Sequence, residues 1–133
     1  MQILLENKFV RFSLLDNTHI LEAFWKPETQ KMVNQDFIDN IKILWHLLST
    51  HQPIGLLADT RDFLFVIEPD LQEWYGANIT ENMGSHTKKV AMLVSKGLIE
   101  QMSITQTIDE DNRTGFQTQY FSEVQEALNW LKT

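Results

Sequence analysis

Ile54–Leu71 reads IGLLADTRDFLFVIEPDL. A short apolar run, Ile54–Ala58, ends on Asp59. A polar turn follows, then a second apolar run, then a helix start at Glu68-Pro69-Asp70. A buried strand reads this way when it delivers its carboxyl end to a loop and then to a helix, and open α/β sheets place their sites at such an edge. The stretch therefore predicts both an interior parallel strand and the position of the working surface.

Working outward, the preceding residues predict a helix over Gln35–Thr50. Phe37, Ile41, Leu44, Trp45 and Leu48 fall on one apolar stripe at helical spacing. Asn34 is the expected N-cap, and Pro53 marks the end. Before it, Ile3–Leu5, Phe9–Leu15 and Ile20–Trp25 read as strands, with Asp16-Asn17 as a hairpin turn. Val10, Phe12 and Leu14 alternate with Arg11 and Ser13, the period of a half-buried strand.

On the other side, a helix is expected over Pro69–Met83, with Leu71, Trp74, Tyr75 and Ile79 on one side and Gly76 weakening it. Lys89–Ser95 is a second parallel-type strand. It feeds a helix over Lys96–Ile108 with Leu98, Ile99 and Met102 inward. Asp109–Thr114 is an acidic loop and Gly115–Phe121 the last strand. The final helix, Glu123–Leu131, has a capping box built from Ser122 and Gln125. The order β-β-β-α-β-α-β-α-β-α implies a mixed sheet packed by about four helices.

The chain has 133 residues, 43% of them hydrophobic and 22% charged. Those values fit one domain with its own core. It has no cysteine, which excludes disulfides, thiolate chemistry and Cys-based zinc sites. The formal net charge is -7. Nucleic acid needs a basic face, so the balance argues against it, and against an anionic membrane surface as well. The N-terminal MQILLENKFVRF lacks the pattern of a signal peptide, and no apolar run approaches bilayer length. A cytoplasmic protein is the expectation.

Known catalytic and cofactor patterns are missing. His19, His46, His51 and His86 have no metal-ligand spacing, so no metal is expected. Gly84-Ser85 and Gly97-Leu98 match no phosphate-binding loop, and no cofactor is expected. Ser85-His86 lacks the nucleophile elbow of a hydrolase.

The order of elements, with Trp25 before the first helix, Leu56-Leu57-Ala58-Asp59 as central strand, Lys88-Lys89-Val90-Ala91 opening the next, and Phe121-x4-Glu126-Ala127-x2-Trp130-Leu131 at the end, resembles the STAS fold of anti-sigma-factor antagonists. More closely it resembles the SpoIIAA-like family of small bacterial proteins, whose fold is related to the CRAL-TRIO lipid-binding domains. The resemblance runs from about Phe24 to Leu131. The antagonists carry a phosphorylatable serine in an Asp-Ser-Ser-Gly-Leu-like motif. Laid without gaps, that motif falls on Ile67-Glu68-Pro69-Asp70-Leu71, and the serine position becomes Glu68.

The resemblance implies a non-enzymatic regulatory or interaction module that docks a protein partner, with a small-molecule or lipid-binding domain as the alternative. The candidate contact residues are Asp59, Thr60, Arg61, Asp62, Glu68, Asp70, Trp74 and Tyr75. Each has a plainer reading. Asp59 to Asp62 also suit a capped turn, and Asp59 resembles a receiver-domain aspartate without the acidic pair that would hold magnesium. Glu68 and Asp70 suit the positive end of a helix dipole. The tryptophans Trp25, Trp45, Trp74 and Trp130 suit core packing. Trp74-Tyr75 is the aromatic pair expected at the surface, for a protein partner or a second copy of the chain.

Overall fold

The computed structural model describes residues 1–15, 18–83, 86–101 and 116–133. Six strands form one sheet in the order β1-β2-β3-β4-β5-β6. They are β1 (Gln2–Glu6), β2 (Val10–Leu14), β3 (Ile20–Trp25), β4 (Gly55–Asp59), β5 (Lys89–Leu93) and β6 (Gln117–Phe121). β1, β2 and β3 pair antiparallel, and β3 through β6 pair parallel. The helices are α1 (Asn34–His51), α2 (Pro69–Asn82), α3 (Lys96–Gln101) and α4 (Val124–Leu131), with a 3-10 turn at Pro27–Lys31. The mixed α/β architecture and the order of elements match the expectation. The Asp16-Asn17 turn, Met102 and the Asp109–Thr114 loop lie outside the described residues.

The strand order advances by one neighbour at each parallel crossover. Right-handed crossovers then put successive helices on the same face. α1 and α2 share that face. Their Phe37, Ile41, Leu44, Trp45, Leu48 and Leu71 join Phe12, Leu21, Ala23, Trp25, Leu56 and Val90 from the sheet in the larger core. The opposite face is left to α4, which sets Ala127 and Leu131 on Ile20, Leu57, Ala91 and Leu93.

β4 is buried along its whole length. Strand alternation sends Leu56 to the α1 layer and Leu57 to the α4 layer. Gly55 sits under α4. A Cβ there would meet Leu131 Cδ2 at 3.0 Å, so its missing side chain sets how closely that helix approaches.

Local details correct several expectations. The central strand starts at Gly55; Ile54 is exposed, its amide bonded to the His19 carbonyl at 2.8 Å. α1 is capped by Val33 rather than Asn34. Asp36 reaches back to the Val33 amide at 2.9 Å. The helix closes on Gln52, whose left-handed φ of 49° ends it before Pro53. Within α3, Leu98 is 48% exposed rather than inward. At α4 the N-cap is Glu123, without a side-chain cap. Gln125 donates to Asn129 at 3.0 Å instead of closing a box with Ser122. Ser13, read as solvent-facing, is fully buried.

Two substitutions test this packing. Leu57→Ala, at the centre of the α4 layer, is expected to lower unfolding free energy by about 2–5 kcal/mol. Gly76→Ala, on open helix surface with nothing within 4 Å, is expected to raise it by about 0.5–1 kcal/mol. Urea titrations give both values, and a neutral Leu57→Ala would contradict the two-layer burial of β4.

Candidate functional site

At the carboxyl ends of the parallel strands, the structure separates the sequence-predicted residues into two groups. Asp59 is the last residue of β4 and is buried. Its parity with Leu57 puts it on the α4 side of the sheet. Arg61 folds back on it: Nε donates to Oδ1 at 3.0 Å and Nη2 to Oδ2 at 2.8 Å. The Arg61 amide also points at Oδ1, at 3.3 Å. The pair holds the Arg61 guanidinium above its ordinary pKa, chiefly through this hydrogen bonding. Thr60 ties the loop to β5 by donating from both its amide and its hydroxyl to the Leu93 carbonyl, each at 2.9 Å. Asp59, Thr60 and Arg61 are therefore committed to one another and to the sheet.

Two further charged residues share that face and were missed by the sequence reading. Arg11 of β2 lies over the Phe24 ring at 5.0 Å and approaches Glu22 of β3 at 3.6 Å. Arg11 Nε and Ser13 Oγ are buried without a hydrogen bond among the described residues. Burial raises the Glu22 carboxyl above its ordinary 4.5, and the Asp59 charge adds to this, while Arg11 and Arg61 act the other way. α4 packs chiefly on β4, β5 and β6 and meets β3 at Ile20, so this polar cluster occupies the part of the face it leaves. The signal available in the sequence was the Arg11/Ser13 alternation, which does not reveal its partner on β3.

The other group lies on the α1–α2 side. Asp62, Glu68 and Asp70 are exposed. Glu68 is the N-cap residue of α2, with extended backbone (φ -73°, ψ 163°), and its side chain makes no cap hydrogen bond. Trp74 and Tyr75 correct the expectation of exposure. Both are half-buried, and they pack on Trp45 with ring centroids 5.5 and 6.0 Å away. Of the other tryptophans, Trp25 and Trp45 are buried and Trp130 is half-buried.

Between α1 and α2 runs an open groove of about 600 Å³. Trp45 and Trp74 line it with Lys42, His46, Asn78 and Glu81. Its wall is mixed in polarity, and it lies between the helices rather than beneath them. Among the described residues, no group of His, Asp and Glu side chains is arranged to hold a metal ion. Among the described residues, no helix is long and apolar enough to cross a membrane.

A family model described as SpoIIAA-like matches residues 27–132, and the chain belongs to that family. Comparison with curated proteins and with solved structures finds no match.

The raised Glu22 carboxyl has a consequence for stability. The native protein keeps this proton to higher pH than the unfolded chain does. Its contribution is thus fully favourable below 4.5 and is lost as pH rises through the elevated native value. Glu22→Gln removes the dependence. The stability of Glu22→Gln relative to wild type is expected to increase from pH 4.5 to neutrality in parallel denaturation series. A difference that stays flat across that range would show that Glu22 titrates normally.

Proposed function

We propose that this chain is a non-enzymatic regulatory module that docks a protein partner at the edge formed by the Asp59–Asp62 loop and the Glu68–Tyr75 segment. The observation that carries this reading is Glu68. It stands where the family resemblance puts the antagonists' phosphorylatable serine, and it is exposed. A helix N-terminus is stabilised by its own capping side chain when one is available. Here the carboxylate caps nothing. It offers a permanent negative charge at a site that gains one only by modification in the antagonists. Asp62 and Asp70, also exposed, extend that charge. Asp59, Thr60 and Arg61 act behind it by fixing the loop.

The α1–α2 groove supports the alternative reading, a small-molecule or lipid-binding domain, because its size suits a small ligand. Its Lys42, His46, Asn78 and Glu81 are poor company for an acyl chain.

Affinity capture from the native host compares wild type with the surface variant Asp62→Lys/Glu68→Lys. The expected outcome is a stoichiometric protein partner retained by wild type and lost by the variant. Identical captured sets, or a co-purifying small molecule with no protein partner, would overturn the proposal.

A further inference from the structure

Between β4 and α2 the chain passes through Phe63-Leu64-Phe65-Val66-Ile67, which belongs to neither. Burial alternates along it. Phe63, Phe65 and Ile67 pack into the larger core, whereas Leu64 is 51% and Val66 77% exposed. Such alternation is that of an extended chain lying on a core. The inner side chains are firmly held. Phe63 meets Trp25 edge-on at 5.3 Å, and Phe65 stacks on Phe37 at 5.6 Å. The Leu64 amide donates to Thr29 Oγ1 at 2.9 Å.

Beyond Leu64 the backbone has no such anchor. Neither the N–H nor the C=O of Phe65 or Val66 has a hydrogen-bond partner among the described residues. The stretch is thus strand-like, fixed in place and unpaired, and its outward side chains are apolar. Val33 is a further exposed apolar residue. It is 63% exposed and lies one helical turn before the Phe37 that stacks on Phe65. Solvent-facing strand-like edges usually carry lysine, proline or a bulge that discourages pairing. This one carries none of them.

The surroundings are acidic. From Asp62 to Thr87 the carboxylates are Asp62, Glu68, Asp70, Glu73 and Glu81, and no lysine or arginine occurs in that stretch. The nearby Arg61 is engaged by Asp59. Along the Val33 side, Glu28 and Asp36 outnumber Lys31. A second copy of the chain would bring the same carboxylates against these, and like charges across an interface are repelled. An anionic lipid surface is disfavoured for the same reason.

Resting on the reading of this edge as a docking surface, we infer that its occupant is an extended segment of a basic protein, which pairs its backbone with the N–H and C=O of Phe65, turned to the edge opposite the Leu64–Thr29 bond, sets apolar side chains on Leu64 and Val66, and places lysine or arginine against Asp62, Glu68 and Asp70. Addition of a strand to an unpaired edge supplies backbone hydrogen bonds for affinity and alternate side chains for selectivity. Leu64 to Ile67 spans about 13 Å of extended chain, so a partner segment of about four or five residues fills it.

The test is selection from a display library of random peptides against the full chain. Recovered peptides are expected to alternate valine, isoleucine or leucine with lysine or arginine. In titrations followed by amide NMR they are expected to shift Phe65, Val66 and Ile67 and to slow hydrogen exchange of the Phe65 amide. Leu64→Ser/Val66→Ser should weaken them at least about tenfold. The two substituted side chains are exposed, so thermal unfolding should be little changed, and a second variant, Glu68→Gln/Asp70→Asn, should weaken the same peptides and reduce their salt dependence. Recovery of acidic peptides, of helix-patterned peptides, of binders indifferent to both variants, or of none at all would overturn the inference. If the host partner is still captured through Asp62 and Glu68 in that case, the docking function stands and only the class of segment is wrong. Loss of both results removes the docking function itself.

Discussion

The double-sided burial of β4 is the constraint on which the rest of the molecule depends. Leu56 and Leu57 point to opposite layers, and both are almost completely enclosed. A strand with both faces covered cannot terminate in solvent halfway along; its tip emerges only where the layers end. That forces Asp59 to the carboxyl edge of the sheet and brings the turn at Arg61 and Asp62 to the surface. The layers are unequal. α1 and α2 together cover one face, whereas the eight-residue α4 lies chiefly across β4, β5 and β6 on the other. The absence of a side chain at Gly55 allows Leu131 to close over β4, and the remainder of that face is filled by Arg11, Ser13 and Glu22.

What happens beyond Asp59 follows from the aromatic residues that meet there. Trp25 ends β3, Phe37 opens α1, and Phe63 and Phe65 arrive from the loop. Their rings contact one another at 5.3 to 6.4 Å, mostly edge-on. Such contacts add about 0.5–1.5 kcal/mol beyond simple burial. Thr29, buried in the 3-10 turn, joins the same assembly by accepting the Leu64 amide while donating to the Lys26 carbonyl at 2.8 Å. The loop is consequently held by alternate side chains, and its other side faces solvent by necessity. The geometry that anchors Phe63 and Phe65 is what exposes Leu64 and Val66.

Periodicity made much of this legible. The stripe of α1, the β4 tip and the start of α2 at Pro69 each follow from apolar spacing and a proline that suits a first helical turn. The start of β4 was off by one residue, because Ile54 is apolar yet pairs its amide with the His19 carbonyl outside the sheet. The cap of α1 was misplaced because a carboxylate three residues on, Asp36, satisfies the Val33 amide without a polar residue at the cap itself. Trp74 and Tyr75 were expected at the surface because they follow the sheet edge in the chain. The face of α2 is instead set by Trp45 on α1, a contact that no local pattern encodes. The same reason hid Glu22: its importance comes from Arg11 and Asp59 on neighbouring strands. As for the candidate site, the sequence located the edge but grouped residues that the sheet divides. Asp59 and Arg61 turn toward α4, while Trp74 and Tyr75 turn toward α1.

That division bears on how a module with Glu68 differs from one with a phosphorylated serine. A phosphate carries about -1.5 to -2 charges and three strong acceptor oxygens, whereas a carboxylate carries one charge and two oxygens. Glu68 alone is a weaker attractor than the group it would stand in for. The deficit is made up if Asp62 and Asp70 contribute to the same field, and both are exposed, Asp70 on the first turn of the same helix and Asp62 at the start of the segment that leads to it. Charge spread over three side chains is less directional than one phosphate, so selectivity must come from something with fixed geometry. The unpaired backbone of Phe65 and Val66, anchored from within by the aromatic assembly, supplies that geometry. On the proposed reading, the carboxylates speed encounter and set the sign of the partner, and the strand-like edge selects its shape. On that same reading the charge needs no kinase to appear, and control of the proposed interaction would lie with the supply of the partner.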